Sequence, residues 1–322
     1  MRRIMASSLL AVALAACSAS DSEPAAQASD AATTWPGVPE EQAAQIRAVG
    51  QVIDPASFAI FAGLVPGPPY ADVTLTEDLA YGTDPQQKLD VYTLNAAPQG
   101  EARPVLLYVH GGGFTEGSKQ GDYYPQSATA WAARNGMVGV NIDYRLAPAA
   151  KWPAARDDLS AAIQWVRANI ARHGGDPERI FLWGHSAGAV HVADYVQHTE
   201  LQGPEAASVK GALLLSPIYQ SAAGEQPHAY YGTDAALQTA APAIQRLGAS
   251  RIPLLLGWAE FDPEMFHVFA RSVTDRLCVE GSGLNCPTTL YLRNHNHMTE
   301  GASIGSADES LSGPFLQWMR GL

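Results

Sequence analysis

Gly184-His185-Ser186-Ala187-Gly188 narrows the folds open to this chain more than any other stretch. It follows the apolar run Ile180-Phe181-Leu182-Trp183 and precedes small residues that can open a helix. A serine between two glycines at a strand-to-helix junction implies a very tight turn, because side chains at either flank would clash. Such a turn lifts the Ser186 hydroxyl to the rim of a sheet, where a base can reach it. A pentapeptide this short also arises by chance, so its weight comes from three further features placed in a consistent chain order.

The first is His110-Gly111-Gly112-Gly113-Phe114, which ends the apolar run Val105-Leu106-Leu107-Tyr108-Val109. That run reads as a buried strand. Glycines after it leave main-chain N–H groups uncovered, so an oxygen can come within hydrogen-bonding distance. Donors aimed where negative charge develops form an oxyanion hole. Gly112 and Gly113 are the expected donors, with the amide of Ala187 as the third. The competing reading is an ordinary glycine-rich turn, and pairing with the serine turn favours the functional one.

The other two features are an acid and a base, expected after the serine in that order. The strand-like run 252–257 leads into Trp258-Ala259-Glu260-Phe261-Asp262-Pro263. Asp262 falls where the turn should begin, and Pro263 can open the next helix. Glu260 is the alternative acid. The β-branched run Thr288-Thr289-Leu290-Tyr291-Leu292 is followed by Arg293-Asn294-His295-Asn296-His297-Met298. A histidine there can swing back over Ser186: His297 is the expected base and His295 the alternative. Two histidines this close also suggest a metal, but no third ligand lies nearby in sequence, and none is expected.

With Asp143-Tyr144-Arg145-Leu146-Ala147-Pro148, Trp152-Pro153-Ala154-Ala155 and His173-Gly174-Gly175-Asp176-Pro177-Glu178-Arg179-Ile180, these blocks run from about 80 to 320. In order and spacing they resemble an α/β-hydrolase of the carboxylesterase and hormone-sensitive-lipase-like group, with similarity to bacterial acetyl-xylan and feruloyl esterases. The resemblance implies an α/β fold with a mostly parallel central sheet, helices on both faces and a small cap. It implies a serine carboxylesterase working through an acyl-enzyme, with Ser186, Asp262 and His297 as catalytic residues. Gly112, Gly113 and Ala187 would form the oxyanion hole. No cofactor is implied. The substrate would be a small-molecule or carbohydrate-linked ester. An arylformamidase-like amidase, a carbohydrate deacetylase or a feruloyl esterase would use the same residues. A binding protein on an inactive scaffold is the rival from another class, although such scaffolds usually lose a catalytic residue and this chain keeps every candidate. The chain departs from many relatives in offering His-Asn-His where they carry one histidine.

Elsewhere the pattern alternates strands and helices. Residues 40–49 read as a helix, 88–94 as an antiparallel strand, 137–142 as a strand, 155–171 as an amphipathic helix and 209–215 as another strand. This alternation implies a mostly parallel sheet whose ligands bind beyond its carboxyl ends. Asp143-Tyr144-Arg145 ends a strand, and Asp157-Asp158 suits the first turn of a helix.

A 47% hydrophobic content with only 16% charged residues supplies such a core. The formal net charge of −12 disfavours nucleic acid and anionic membrane surface as partners. Arg2 and Arg3 precede an apolar stretch too short to span a bilayer, which ends Leu14-Ala15-Ala16-Cys17. Residues 1–16 therefore read as a lipoprotein-type signal peptide, Cys17 as the lipidated residue and 17–34 as a flexible tether. The alternative is an ordinary cleaved signal. Residues 35–322 would form the catalytic domain, with cap elements at 35–70 and 217–250. Tyr219, Tyr230 and Tyr231 gather in the second of these, where core packing competes with lining a pocket. The implied location is the bacterial cell envelope, facing the periplasm or the surface, with membrane contact through the lipid only. In an oxidising space Cys278 and Cys286 would pair as a disulfide, the alternative being two buried thiols.

Overall fold

The computed structural model describes residues 35–96, 100–121, 124–199, 202–217, 228–232 and 244–322. The signal, tether and lipidation readings at residues 1–34, Cys17 included, lie outside these, as does Tyr219.

Eight strands form one sheet: β1 (Val73–Ala80), β2 (Lys88–Leu94), β3 (Arg103–Val109), β4 (Val138–Ile142), β5 (Gly175–His185), β6 (Val209–Leu215), β7 (Leu254–Ala259) and β8 (Thr288–Leu292). Their spatial order is β1-β2-β4-β3-β5-β6-β7-β8. β1 and β2 join antiparallel at one edge, and every pairing from β4 to β8 is parallel. β4 and β7 are buried at every position. Both faces of these strands are covered, so β7 is a continuous apolar run and β4 departs from one only at Asn141.

Alternate residues feed two cores. Val105, Leu107, Val109, Leu182, Leu214 and Leu256 point to one face. There they meet α3 (Ala154–Asn169), α4 (Ala187–Gln197) and α5 (Glu264–Leu277). Leu106, Tyr108, Trp183, Leu213 and Leu255 point to the other, against α2 (Tyr124–Arg134) and α6 (Ser312–Arg320). A further helix, α1 (Glu40–Val49), precedes the sheet.

Two expected boundaries move. β5 begins at Gly175 rather than near Ile180, because only Gly174 takes the left-handed turn (φ 73) after the preceding helical segment, while Gly175 already pairs with Arg103 of β3. β7 extends to Ala259, since Trp258 and Ala259 pair with Tyr291 and Leu292 of β8. Strand β1 and helices α2 and α6 were not anticipated. Tyr230 and Tyr231 are buried against Phe114, which Tyr230 stacks on at 4.8 Å between ring centroids. Cys278 and Cys286 form a disulfide that closes the loop between α5 and β8.

The acidic pairs serve the scaffold. Asp158 accepts from Arg145 Nε and Nη2, the Arg145 amide and Gln87 Nε2. Lys119 is 3% exposed and meets Asp78 and Asp90 at 2.8 Å each. Its amide donates to Asp143 Oδ1 at 2.6 Å and its carbonyl accepts from Asn141 Nδ2 at 2.7 Å. This lysine therefore clamps the loop after β3 to the sheet edge. Lys119→Met should leave the fully buried Asp90 carboxylate without its cation. We expect a loss of about 3–5 kcal/mol in urea unfolding, the usual cost of breaking one half of a buried pair. A loss under about 1 kcal/mol would place this pair among weak surface bridges.

Candidate active site

Ser186 is the single residue between the end of β5 and the start of α4, with φ 53 and ψ −123. This is a region that side-chain-bearing residues seldom occupy, so the surrounding packing must hold it. A Cβ on Gly188 would lie 2.1 Å from the Val109 carbonyl oxygen, and one on Gly184 would lie 2.4 Å from the Gly188 carbonyl oxygen. The helix thus runs against β3 and β5 at a distance only glycine allows. The Ser186 amide donates to the Leu215 carbonyl at 2.9 Å, which ties the turn to β6.

The loop after β3 carries three successive positive φ values, at Gly112 (115), Gly113 (57) and Phe114 (71). A Cβ on Gly112 would fall 2.0 Å from the Glu116 carbonyl oxygen, so this tight turn requires glycine. The amides of Thr115 and Glu116 both donate to the Gly112 carbonyl and close the turn. Gly112, Gly113 and Ala187 line one pocket with Ser186 and His297.

Asp262 lies just beyond β7 and His297 beyond β8. His297 Nδ1 and Asp262 Oδ1 are 2.9 Å apart. Asp262 Oδ2 also accepts from Ser216 Oγ at 2.6 Å and from the Ala259 amide at 2.8 Å. Asp262 is fully buried. Burial pulls its pKa upward, but the His297 partner, the Ser216 hydroxyl and the Ala259 amide together outweigh it and hold the carboxyl below its ordinary range. Its charge is therefore kept inside the protein.

The alternatives are engaged elsewhere. Glu260 Oε2 accepts from the Asn294 amide at 2.7 Å, and the Phe261 amide donates to the His295 carbonyl at 2.8 Å. Glu260 thus holds the loop that carries His295 and His297. His295 Nε2 lies 2.9 Å from Asp308 Oδ2 and 3.0 Å from Ser310 Oγ. The structure brings His297, and not His295, to Asp262 and the pocket.

The pocket has a volume of about 660 Å³. Phe58, Tyr108, Tyr124, Phe266 and Met298 give it an apolar wall, and Ile53 from the N-terminal segment borders it. Burial pushes His110 down to about 4 and, aided by nearby histidines, His185 and His191 down to about 3. Among the described residues, His185, His297 and Glu300 form the one cluster with metal-ligand chemistry, their donor atoms within 4.8 Å of one another. Both imidazoles already have protein partners: His185 Nε2 meets the His297 carbonyl at 2.9 Å, and His297 Nδ1 meets Asp262.

Sequence reasoning missed Ser216, His185 and Glu300 beside the candidate pair. A signal existed for Ser216, which ends the β6 apolar run immediately before Pro217. Nothing local marks Glu300, whose role depends on tertiary contact.

Comparison with known proteins agrees with this architecture. The profile of a family described by its alpha/beta hydrolase fold matches residues 106–276, more than half of the chain. Esterase LipQ of Mycobacterium tuberculosis is 38% identical over 130 residues, covering 40% of this chain and 30% of LipQ. Phenmedipham hydrolase of Pseudarthrobacter oxydans is 39% identical over 156 residues, covering 45% of this chain and 29% of that enzyme. The chain thus spans under a third of the length of these relatives. A fungal esterase structure from Rhizomucor miehei superposes with a TM-score of 0.64 at 21% identity, covering 89% of this chain and 98% of that one. That likeness is one of fold.

Two outcomes follow from the site. His297→Ala should slow fluorophosphonate labelling of Ser186 by about 10³-fold or more while the protein stays folded. His295→Ala should lower the melting temperature, because Asp308 loses a buried partner, and should spare labelling. The opposite ranking would make His295 the candidate base. The second outcome concerns pH. His110, His185 and His191 have folded pKa values below the unfolded value of about 6.5. Their burial in neutral form therefore stabilises fully above about pH 6.5 and is lost as pH falls toward their folded values, at up to about 1.4 kcal/mol per unit for each. Urea midpoints measured between about pH 7 and 5 should fall steadily; a flat profile would mean these imidazoles are accessible to protons in the native state.

Proposed function

The chain belongs to the alpha/beta hydrolase fold family, and from that premise we propose that it is a serine carboxylesterase acting through an acyl-enzyme. One observation carries the reading: His297 commits Nδ1 to the buried Asp262 while lining the same pocket as Ser186 and the glycine loop. An imidazole oriented in this way presents Nε2 as the proton acceptor.

In the proposed reaction Ser186 Oγ attacks the ester carbonyl as His297 Nε2 takes its proton. Asp262 keeps the Nδ1–H tautomer and stabilises the imidazolium that forms. The amides of Gly112, Gly113 and Ala187 receive the developing oxyanion, each such donor being worth about 3–4 kcal/mol of barrier. His297 then returns the proton to the leaving alcohol. Water, activated by the same imidazole, hydrolyses the acyl-enzyme and restores Ser186. The chemistry needs no cofactor.

The pocket wall supports an ester with an apolar or aromatic acyl or alcohol group, since Phe58, Tyr124 and Phe266 offer flat contact surface. Names of relatives that include esterase, carboxylesterase and phenmedipham hydrolase support the same reaction class. Amide and acetylated-carbohydrate substrates would use the same residues, so only turnover separates them.

The test is turnover of p-nitrophenyl esters of increasing acyl length, beside feruloyl, acetyl-xylan and formamide substrates. We expect short to medium esters to be hydrolysed, and Ser186→Ala to lower kcat by about 10⁴-fold or more with its melting temperature preserved. Hydrolysis of formamides alone would change the bond class. Absence of both turnover and fluorophosphonate labelling in the wild type would overturn the enzymatic reading.

A further inference from the structure

Beside the His297–Asp262 pair lies a second imidazole–carboxyl couple. Glu300 sits on the helical turn Thr299–Ala302, three residues past His297, and its side chain is completely buried. Its Oε1 lies 3.2 Å from Nε2 of His185, the residue immediately before Ser186. The same His185 Nε2 is 2.9 Å from the main-chain carbonyl of His297. That carbonyl only accepts, so His185 carries its proton on Nε2 and donates it there. The rings of His185 and His297 have centroids 4.8 Å apart, and Tyr124 meets His185 edge-on at 5.5 Å. A Cβ on Gly111 would lie 3.5 Å from His185 Nδ1, so the same ring also abuts the glycine loop.

We propose that His185 and Glu300 are positioning residues for His297: the His185 imidazole carries the main-chain carbonyl of the base, and the Glu300 carboxyl seats that imidazole. This rests on the reading of Ser186, His297 and Asp262 as the catalytic set. The couple links the junction that holds the nucleophile to the loop that holds the base, through one hydrogen bond between β5 and the segment after β8. If the His297 peptide plane turns, the imidazole turns with it. A misplacement of about 1 Å at a reacting group can cost about 100-fold in rate.

The surroundings of the couple favour its uncharged form. Around Glu300 stand Asp262, His185, His297 and the phenols of Tyr108 and Tyr124. The nearest donors, His185 Nε2 at 3.2 Å and the Ser216 hydroxyl, are aligned on the His297 carbonyl and on Asp262 Oδ2, so neither Glu300 oxygen has a well-aligned hydrogen bond among the described residues. Burial, and then the Asp262 charge, push the Glu300 carboxyl far above its ordinary range, although the Ser216 hydroxyl opposes this. Asp262 has better partners and keeps the negative charge. A second anion here would lie against the Asp262 charge with no aligned donor to offset the repulsion. A protonated carboxyl fills the space without that penalty.

The test uses the full chain and p-nitrophenyl butyrate, with kcat and KM followed from about pH 5 to 9. Turnover by the wild type and its loss in Ser186→Ala check the underlying reading. His185→Leu should lower kcat by about 10–100-fold with KM within about twofold, and His185→Gln, whose amide can still donate to the carbonyl, should recover most of it. Glu300→Leu should cost about tenfold, and Glu300→Gln should recover most of that without moving the acid limb of kcat/KM. His185→Leu with wild-type kcat would overturn the proposal, as would Gln no better than Leu at either position. A tenfold loss in Glu300→Gln with the acid limb moved down by about one pH unit would make Glu300 a second anion and also overturn it. Should His185→Leu fail to fold, His185→Asn replaces it, since its shorter amide falls short of the carbonyl. Should the wild type hydrolyse no ester, the reading of the reaction fails separately, and the same rankings are read from fluorophosphonate labelling of Ser186.

Discussion

The site depends on a backbone constraint at one residue. Ser186 occupies a positive-φ conformation because β5 must become α4 within a single position, and the helix must start while pressed against β3 and β5. Gly184 and Gly188 make that contact sterically possible. The Leu215 carbonyl then fixes the turn by accepting the Ser186 amide. A relaxed serine would need a longer connection, and a longer connection would carry the hydroxyl away from His297. Strain at one residue, distributed over a well-packed sheet, is the condition for placing the Ser186 hydroxyl at the rim.

The second condition is a buried charge. An ionised carboxylate without partners in the interior would take up a proton instead. Asp262 avoids this with three hydrogen-bond donors, each from a different part of the fold: Ser216 at the end of β6, Ala259 at the end of β7 and His297 after β8. Ser216 itself has φ 43, so a second residue outside the usual backbone region lies within one hydrogen bond of the pair. The nearby Glu300 shows the converse, since it lacks aligned donors and burial pushes its carboxyl well above the ordinary range. Two carboxyls in one dry region are thus pushed in opposite directions by the hydrogen bonds around each.

Much of this was legible in the amino-acid order. The runs at 88–94, 209–215 and 288–292 and the helix at 40–49 coincide with observed elements, because apolar runs and amphipathic spacing report burial directly. The glycines flanking Ser186 were legible for the same kind of reason, since they mark places where backbone touches backbone. Strand β1 was not, because it is an edge strand with an irregular burial pattern, a bulge after Thr76 and a charged pair in its middle. His295 and His297 could not be separated by local sequence. Both are buried, and their difference lies in distant partners, Asp308 for one and Asp262 for the other. Glu300 was invisible for that reason too: its neighbours come from residues 185, 216 and 262.

The topology explains why one rim can collect so many groups. Strands β3, β5, β6, β7 and β8 are consecutive neighbours in the sheet and all parallel. Each therefore delivers the residues just past its carboxyl end to the same edge. Across the sheet these are the glycine loop, Ser186, Ser216, Asp262 and His297, in an order that places Asp262 between the strand leading to Ser186 and the strand leading to His297. An antiparallel neighbour at any of these positions would send its group to the opposite edge. The two antiparallel strands are confined to the far side, beyond β4, where they contribute a clamp for Lys119 through Asp78 and Asp90. That clamp holds the far end of the glycine loop, so even the strands that deliver no group to the rim help to shape it.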